Sequence, residues 1–149
     1  MADDYVRIVF KLEKDEDDYP PVDYERLWAR PRGNGLFEID NVPFFARDIS
    51  VGDIVTAREV RGEWMFTDVV QPSGSSTLRA IIFDGTQVQG IRDQLREMGC
   101  STELNGSKLI SVDIPAQVDL HAVRGWLLRQ EEAGVLEFED ACIRHAGAS

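Results

Sequence analysis

The sequence predicts an α+β protein in two parts, an all-β N-terminal half and a half in which strands alternate with helices. Three observations predict it. Up to Val70 the chain reads as five short strands punctuated by turn glycines, with no helical period. The polar stretch Gln71-Pro72-Ser73-Gly74-Ser75-Ser76 then breaks the pattern. Beyond it, Val88, Ile91, Leu95 and Met98 recur at helical spacing.

Each element has a local reason. In Tyr5–Leu12, Val6, Ile8, Phe10 and Leu12 share one face at period two, so this is the first strand. Glu13 to Asp18 is a mostly acidic run that cannot pack and is expected as a loop or mobile arm. Glu25 to Pro31 is the second strand. Gly33-Asn34-Gly35 tolerates positive φ and signals a hairpin into a third strand, Leu36 to Asp40. Pro43 lacks a donor and ends pairing. Ser50-Val51-Gly52-Asp53 reads as a tight turn into a strand from Ile54 to Val60. Arg61-Gly62-Glu63 turns again into Trp64 to Val70. These five strands suggest a small twisted sheet or β-barrel-like subdomain over residues 1–71. Trp28 and Trp64 are expected in its core.

Residues 72–77 are expected as the linker and 78–149 as the second subdomain. Leu78 to Phe83 is a strand, and Thr86 is the expected cap of a helix closed by Gly99. Strands around Ser101–Leu104 and Lys108–Ile114 flank Asn105-Gly106. Asp119 caps a second helix carrying Leu120, Val123, Trp126 or Leu127, and Leu128, and Val135 to Ile143 is the last strand. The order βαββαβ is the ferredoxin-like plan, with both helices on one face of a four-stranded antiparallel sheet.

Composition bounds function. Twenty-seven acids face sixteen bases, a formal net charge of -11. Such a chain is repelled by nucleic-acid phosphates and by anionic membranes, and is attracted to basic proteins. No charged-then-apolar leader and no bilayer-length apolar run are present, so a cytoplasmic protein is expected. Cys100 and Cys142 lie far apart without a C-x-x-C spacing and read as reduced, packed thiols.

The chemical motifs are sparse. Cys100 follows a helix C-terminus, where the dipole disfavours a thiolate. A Cys142/His145 pair is opposed by the alternation of side chains along a strand. No spacing of His, Cys or Asp builds a metal site, and the run Asp15-Glu16-Asp17-Asp18 lacks the interleaved ligands of a calcium loop. Asp40, Asp53, Asp68 and Asp84 sit at strand edges, where turn capping is their ordinary use. No glycine pattern makes a phosphate loop, and the central strands of the second half lack the aromatic platform of an RNA-reading sheet. No catalytic residue, metal or cofactor is therefore expected.

The stretch Arg26–Val55 carries the remaining signal. It contains Leu27-Trp28-Ala29-Arg30-Pro31, Asp40-Asn41-Val42-Pro43-Phe44-Phe45-Ala46 and Ser50-Val51-Gly52-Asp53-Ile54-Val55. On these segments the chain resembles a small, uncharacterised bacterial family catalogued as a domain of unknown function. The resemblance implies a shared fold and no activity. Adjacent Phe44 and Phe45 cannot both enter one small core if extended, so one is expected to bridge the subdomains or to anchor a partner.

The functional expectation is a non-enzymatic, acidic protein-binding module of the inhibitor or immunity type. Asp15, Glu16, Asp17 and Asp18, with Phe44 or Phe45, would contact a basic partner. The rival is a small-molecule-sensing domain with a pocket between the subdomains, using Phe44, Phe45 and Arg47.

Overall fold

The computed structural model describes residues 5–145. It is a mixed α+β chain that divides into two compact units, Met1–Ser73 and Gly74–Ser149. Residues 1–4 and 146–149, included in the expected subdomains, lie outside the described residues.

The first unit holds β1 (Val6–Lys11), β2 (Tyr24–Gly33), β3 (Leu36–Ile39), β4 (Ile54–Val60) and β5 (Glu63–Gln71). Sequential neighbours pair antiparallel, and β1 also pairs in parallel with β5, through Ile8↔Trp64 and Val9↔Met65, so the sheet closes on itself. Alternation decides what lies inside. Ile8, Phe10, Leu27, Ala29, Phe37, Ile39 and Val55 form one buried cluster. Phe10 stacks on Phe66 at 4.6 Å, and Trp64 tilts against Phe37 at 5.2 Å.

Trp28 is not in that core. Leu27 and Ala29 take the inward positions of β2, so Trp28 faces out and is 42% exposed. The segment between β3 and β4 forms no strand. It instead delivers Val42, Ala46 and Ile49, each nearly fully buried.

The second unit holds β6 (Ser76–Ile82), α1 (Val88–Glu97), β7 (Ser101–Asn105), β8 (Leu109–Ile114), α2 (Leu120–Glu132) and β9 (Leu136–Cys142). Its four-stranded sheet runs β7-β8-β6-β9, antiparallel at every pairing. Leu78, Ala80, Ile82, Ile110, Val112 and Ile114 join Ile91, Leu95, Val123 and Leu127 of the helices in one core, with Trp126 packed against it.

Two boundaries differ from expectation. Ser76 and Thr77, read as linker, already belong to β6 and are buried. Asp84, not Thr86, provides the cap before α1. Its carboxylate accepts the Thr86 N–H at 2.9 Å and the Thr86 hydroxyl at 2.7 Å over a short 3-10 turn, Gly85–Gln87. Asp119 caps α2 by accepting the N–H groups of His121 and Ala122. Gly99 ends α1 at φ +96, and a Cβ there would come within 2.9 Å of Val118.

Candidate functional site

The segments that stood out in the sequence are built around two carboxylates. Glu25 on β2 accepts three backbone N–H groups, from Phe44 at 2.7 Å, Phe45 at 3.0 Å and Ala46 at 2.7 Å. A partly buried turn of three donors needs such an acceptor, because unpaired N–H groups are expensive away from water. Asp53 is fully buried. Its carboxylate accepts Ser50 N–H at 3.0 Å and Ser73 N–H at 2.8 Å, tying the turn before β4 to the chain leaving β5. Gly52 beside it has φ +87, and a Cβ there would meet Ser73 Cβ at 3.0 Å. Gly52 and these two carboxylates thus do structural work.

The acidic run is an ordered turn. Asp15 Oδ1 accepts the N–H groups of Asp17 and Tyr19, and Asp15 N–H donates to the Tyr19 carbonyl at 2.8 Å. Lys14 Nζ donates to the Pro20 carbonyl at 2.8 Å. Asp15 is therefore occupied with its own loop, while Glu16, Asp17 and Asp18 are exposed. Tyr19 sits edge-on to Phe45 at 6.1 Å, which joins this loop to one of the two predicted anchors. Phe44 and Phe45 are both half-buried. Phe45 also packs against the first unit's core, and with Arg47 it lines a pocket of about 270 Å³ that Phe10, Glu13 and Phe66 complete. Phe44 does not line that pocket.

A second site was not foreseen. On the outer face of β1 and β2, Arg7 lies 4.5 Å from the Trp28 ring centroid, and Arg30 lies 5.6 Å from the Tyr5 ring. Arg30 Nη2 also donates to the Tyr5 hydroxyl at 2.9 Å. That bond, with Asp40 and Glu38 nearby, raises the pKa of the Arg30 guanidinium above the ordinary arginine value. Tyr5 is 38% exposed. The two rings, with Asp40 and Asn41 from the end of β3, line an open pocket of about 390 Å³. Asn41 Oδ1 accepts the Trp28 N–H at 2.7 Å, and Asp40 N–H donates to the Trp28 carbonyl at 2.9 Å, so the pocket rim is fixed to β2. The signal for this face was in the sequence: residues 26, 28 and 30 share one side of β2, and two of them are arginine.

His145, disfavoured above as a base for Cys142, is engaged by Ser76 and Pro115. His145 Nε2 lies 2.9 Å from the Pro115 carbonyl, which only accepts, so Nε2 carries the proton. Nδ1 then accepts from the Ser76 hydroxyl at 2.6 Å, and Ser76 Oγ accepts the Arg144 N–H at 2.9 Å. Ser76 has no exposed surface. The pair therefore fastens the chain after β9 to β6 and does not present a nucleophile to substrate. Cys100 is buried at the end of α1, and burial first, then Asp113, pushes its thiol up to about 11. Among the described residues no group of three or more His, Cys, Asp or Glu side chains is placed to hold a metal ion. No helix among them is long and apolar enough to cross a membrane.

Residues 25–138, which contain most of the distinctive segments above, match the family described as Domain of unknown function (DUF4265). The chain belongs to that family. A structure described as a novel crystal structure of a hypothetical protein from Neisseria gonorrhoeae shares the fold of this DUF4265 chain, with a TM-score of 0.80 at 23% identity. The alignment covers 95% of this chain and 96% of that one. At that identity the likeness establishes the fold alone. No curated protein matches the chain.

Proposed function

We propose that this DUF4265 chain is a non-enzymatic module of the bacterial cytoplasm that binds a basic protein partner, in the manner of an acidic inhibitor or immunity protein. The observation that carries the reading is the loop after β1. Asp15 spends its carboxylate on the loop backbone, which fixes Glu16, Asp17 and Asp18 as three exposed acids beside Tyr19 and Phe45. On a chain of net charge -11, an acidic turn held by its own hydrogen bonds, next to exposed Tyr19 and half-buried Phe45, suits a basic surface. Electrostatic steering of that kind raises association rates and weakens with salt. The strand order β7-β8-β6-β9 with two helices supports reading the second unit as ferredoxin-like, a scaffold that does not itself imply an activity.

The test is affinity capture from a lysate of the encoding organism at low and high salt, with partners identified by mass spectrometry. A stoichiometric basic protein released at high salt is the expected result. Recovery of nucleic acid alone, or of an acidic partner, rejects the reading.

One observation favours a second reading, a small-molecule-sensing domain. Phe45 and Arg47 line the 270 Å³ pocket of the first unit, where aromatic rings meet charged side chains of both signs. That reading requires a ligand-induced rise in melting temperature that Arg47→Ala abolishes.

A further inference from the structure

We propose that the pocket between Tyr5 and Trp28 receives a lysine or arginine side chain of the basic protein partner, with Asp40 as its counter-ion. This rests on the binding-module reading and gives it a second contact, away from the acidic loop.

Three features select a cation. Both walls are exposed aromatic rings, whose faces attract positive charge. The Asp40 carboxylate at the rim makes no hydrogen bond or ion pair with any described residue; it acts on Arg30 only through its field, and its oxygens are open to a cationic ligand. Arg7 already rests over the Trp28 ring at 4.5 Å, an internal instance of the contact. The Trp28 indole N–H has no partner among the described residues, and it offers a donor to a backbone carbonyl of the incoming segment. At about 390 Å³ the space is ample for one extended cationic side chain and small for a folded element.

The rim is pre-organised. Asn41 and Asp40 bond the backbone of Trp28 on both sides, so little ordering is needed when the ligand arrives.

The experiment titrates the full chain, labelled with ¹⁵N, with pentalysine at low salt, with oligouridylate and pentaglutamate in parallel. The expected result is a saturable shift of the Trp28 indole resonance, with Trp64 and Trp126 unmoved. Asp40→Asn and Trp28→Ala, followed on the Asn41 amide, each weaken binding by roughly two- to fivefold, the worth of one exposed cation–π or ion contact. Trp28→Phe retains most of the affinity, which separates ring chemistry from misfolding. If pentalysine shifts only resonances of residues 13–19, the pocket assignment is overturned and the binding-module reading stands. If oligouridylate, and not pentalysine, shifts Trp28, the pocket serves nucleic acid and the assignment is overturned. If no cationic probe moves any resonance, both the pocket and the module reading fail.

Discussion

Glu25 is the residue whose loss the structure prices most clearly. Its two oxygens take all three N–H groups of the Phe44–Phe45–Ala46 turn, at 2.7, 3.0 and 2.7 Å. Ala46 is nearly buried and belongs to the first unit's core, so that turn also sets core packing. A hydrogen bond to a charged acceptor contributes about 1.5–3 kcal/mol net when buried. The site is only partly buried and water reaches it, so about 1 kcal/mol per bond is the better figure, or roughly 3 kcal/mol for Glu25→Ala. Glu25→Gln separates charge from geometry. An amide oxygen in the Oε1 position keeps the Phe45 and Ala46 bonds, while its NH₂ faces the Phe44 N–H. That variant should lose about 1–1.5 kcal/mol. Urea denaturation followed by Trp fluorescence measures both. With a slope near 1.5 kcal/mol/M for a unit of this size, the Ala variant lowers the midpoint by about 2 M. An Ala variant within about 0.5 kcal/mol of the parent would refute the claim that this carboxylate holds the loop, as would equal losses for Gln and Ala.

Asp53→Ala, which strips a buried acceptor from the Ser50 and Ser73 N–H groups, should destabilise by roughly 2–4 kcal/mol, read from the same denaturation curves. Ser76→Ala leaves His145 Nδ1 and the Arg144 N–H unpartnered by that hydroxyl. About 1–2 kcal/mol should be lost, and amide exchange at Arg144 should accelerate. Cys100 in the folded chain has a thiol pKa of about 11 against a reference of 9.0. At pH 8 its thiolate fraction is therefore about one hundredth that of an ordinary thiol, and iodoacetamide should label it only after unfolding. The raised value also means that the unfolded chain loses this proton first. Its contribution to stability is fully present below pH 9 and disappears as pH rises to about 11, while Cys100→Ala should flatten that stretch of the alkaline stability profile.

Much of the fold was legible because its signals are local. Period-two alternation in β1, the Asp119 cap, and the glycines at 52 and 99 act over a few residues, and all correspond to features of the structure. What the sequence hid was polar pairing between residues far apart. Glu25 meets its three donors across 19 to 21 residues, and Ser76 meets His145 across 69. Asp84 displaced Thr86 as cap because it precedes the 3-10 turn Gly85–Gln87, where its carboxylate accepts both the N–H and the hydroxyl of that threonine.

Trp28 was misread for a different reason. Size and hydrophobicity suggest a core position, but strand parity outranks them. With Leu27 and Ala29 inside, Trp28 must share the outer face with Arg30, and the face that results is the one that carries the pocket. Of the residues expected at a site, the structure brings Phe45 to the acidic loop through Tyr19 and puts Arg47 in a pocket with it, while Phe44 stays out of that pocket.

The exposed acids after β1 are expected to recruit a basic protein. The most direct measurement is side-by-side affinity capture with the parent chain and with a chain carrying Glu16→Lys, Asp17→Lys and Asp18→Lys, at low salt, quantified by mass spectrometry. A stoichiometric basic protein is expected on the parent and strongly depleted on the reversed chain. An identical set of partners on both chains would contradict it.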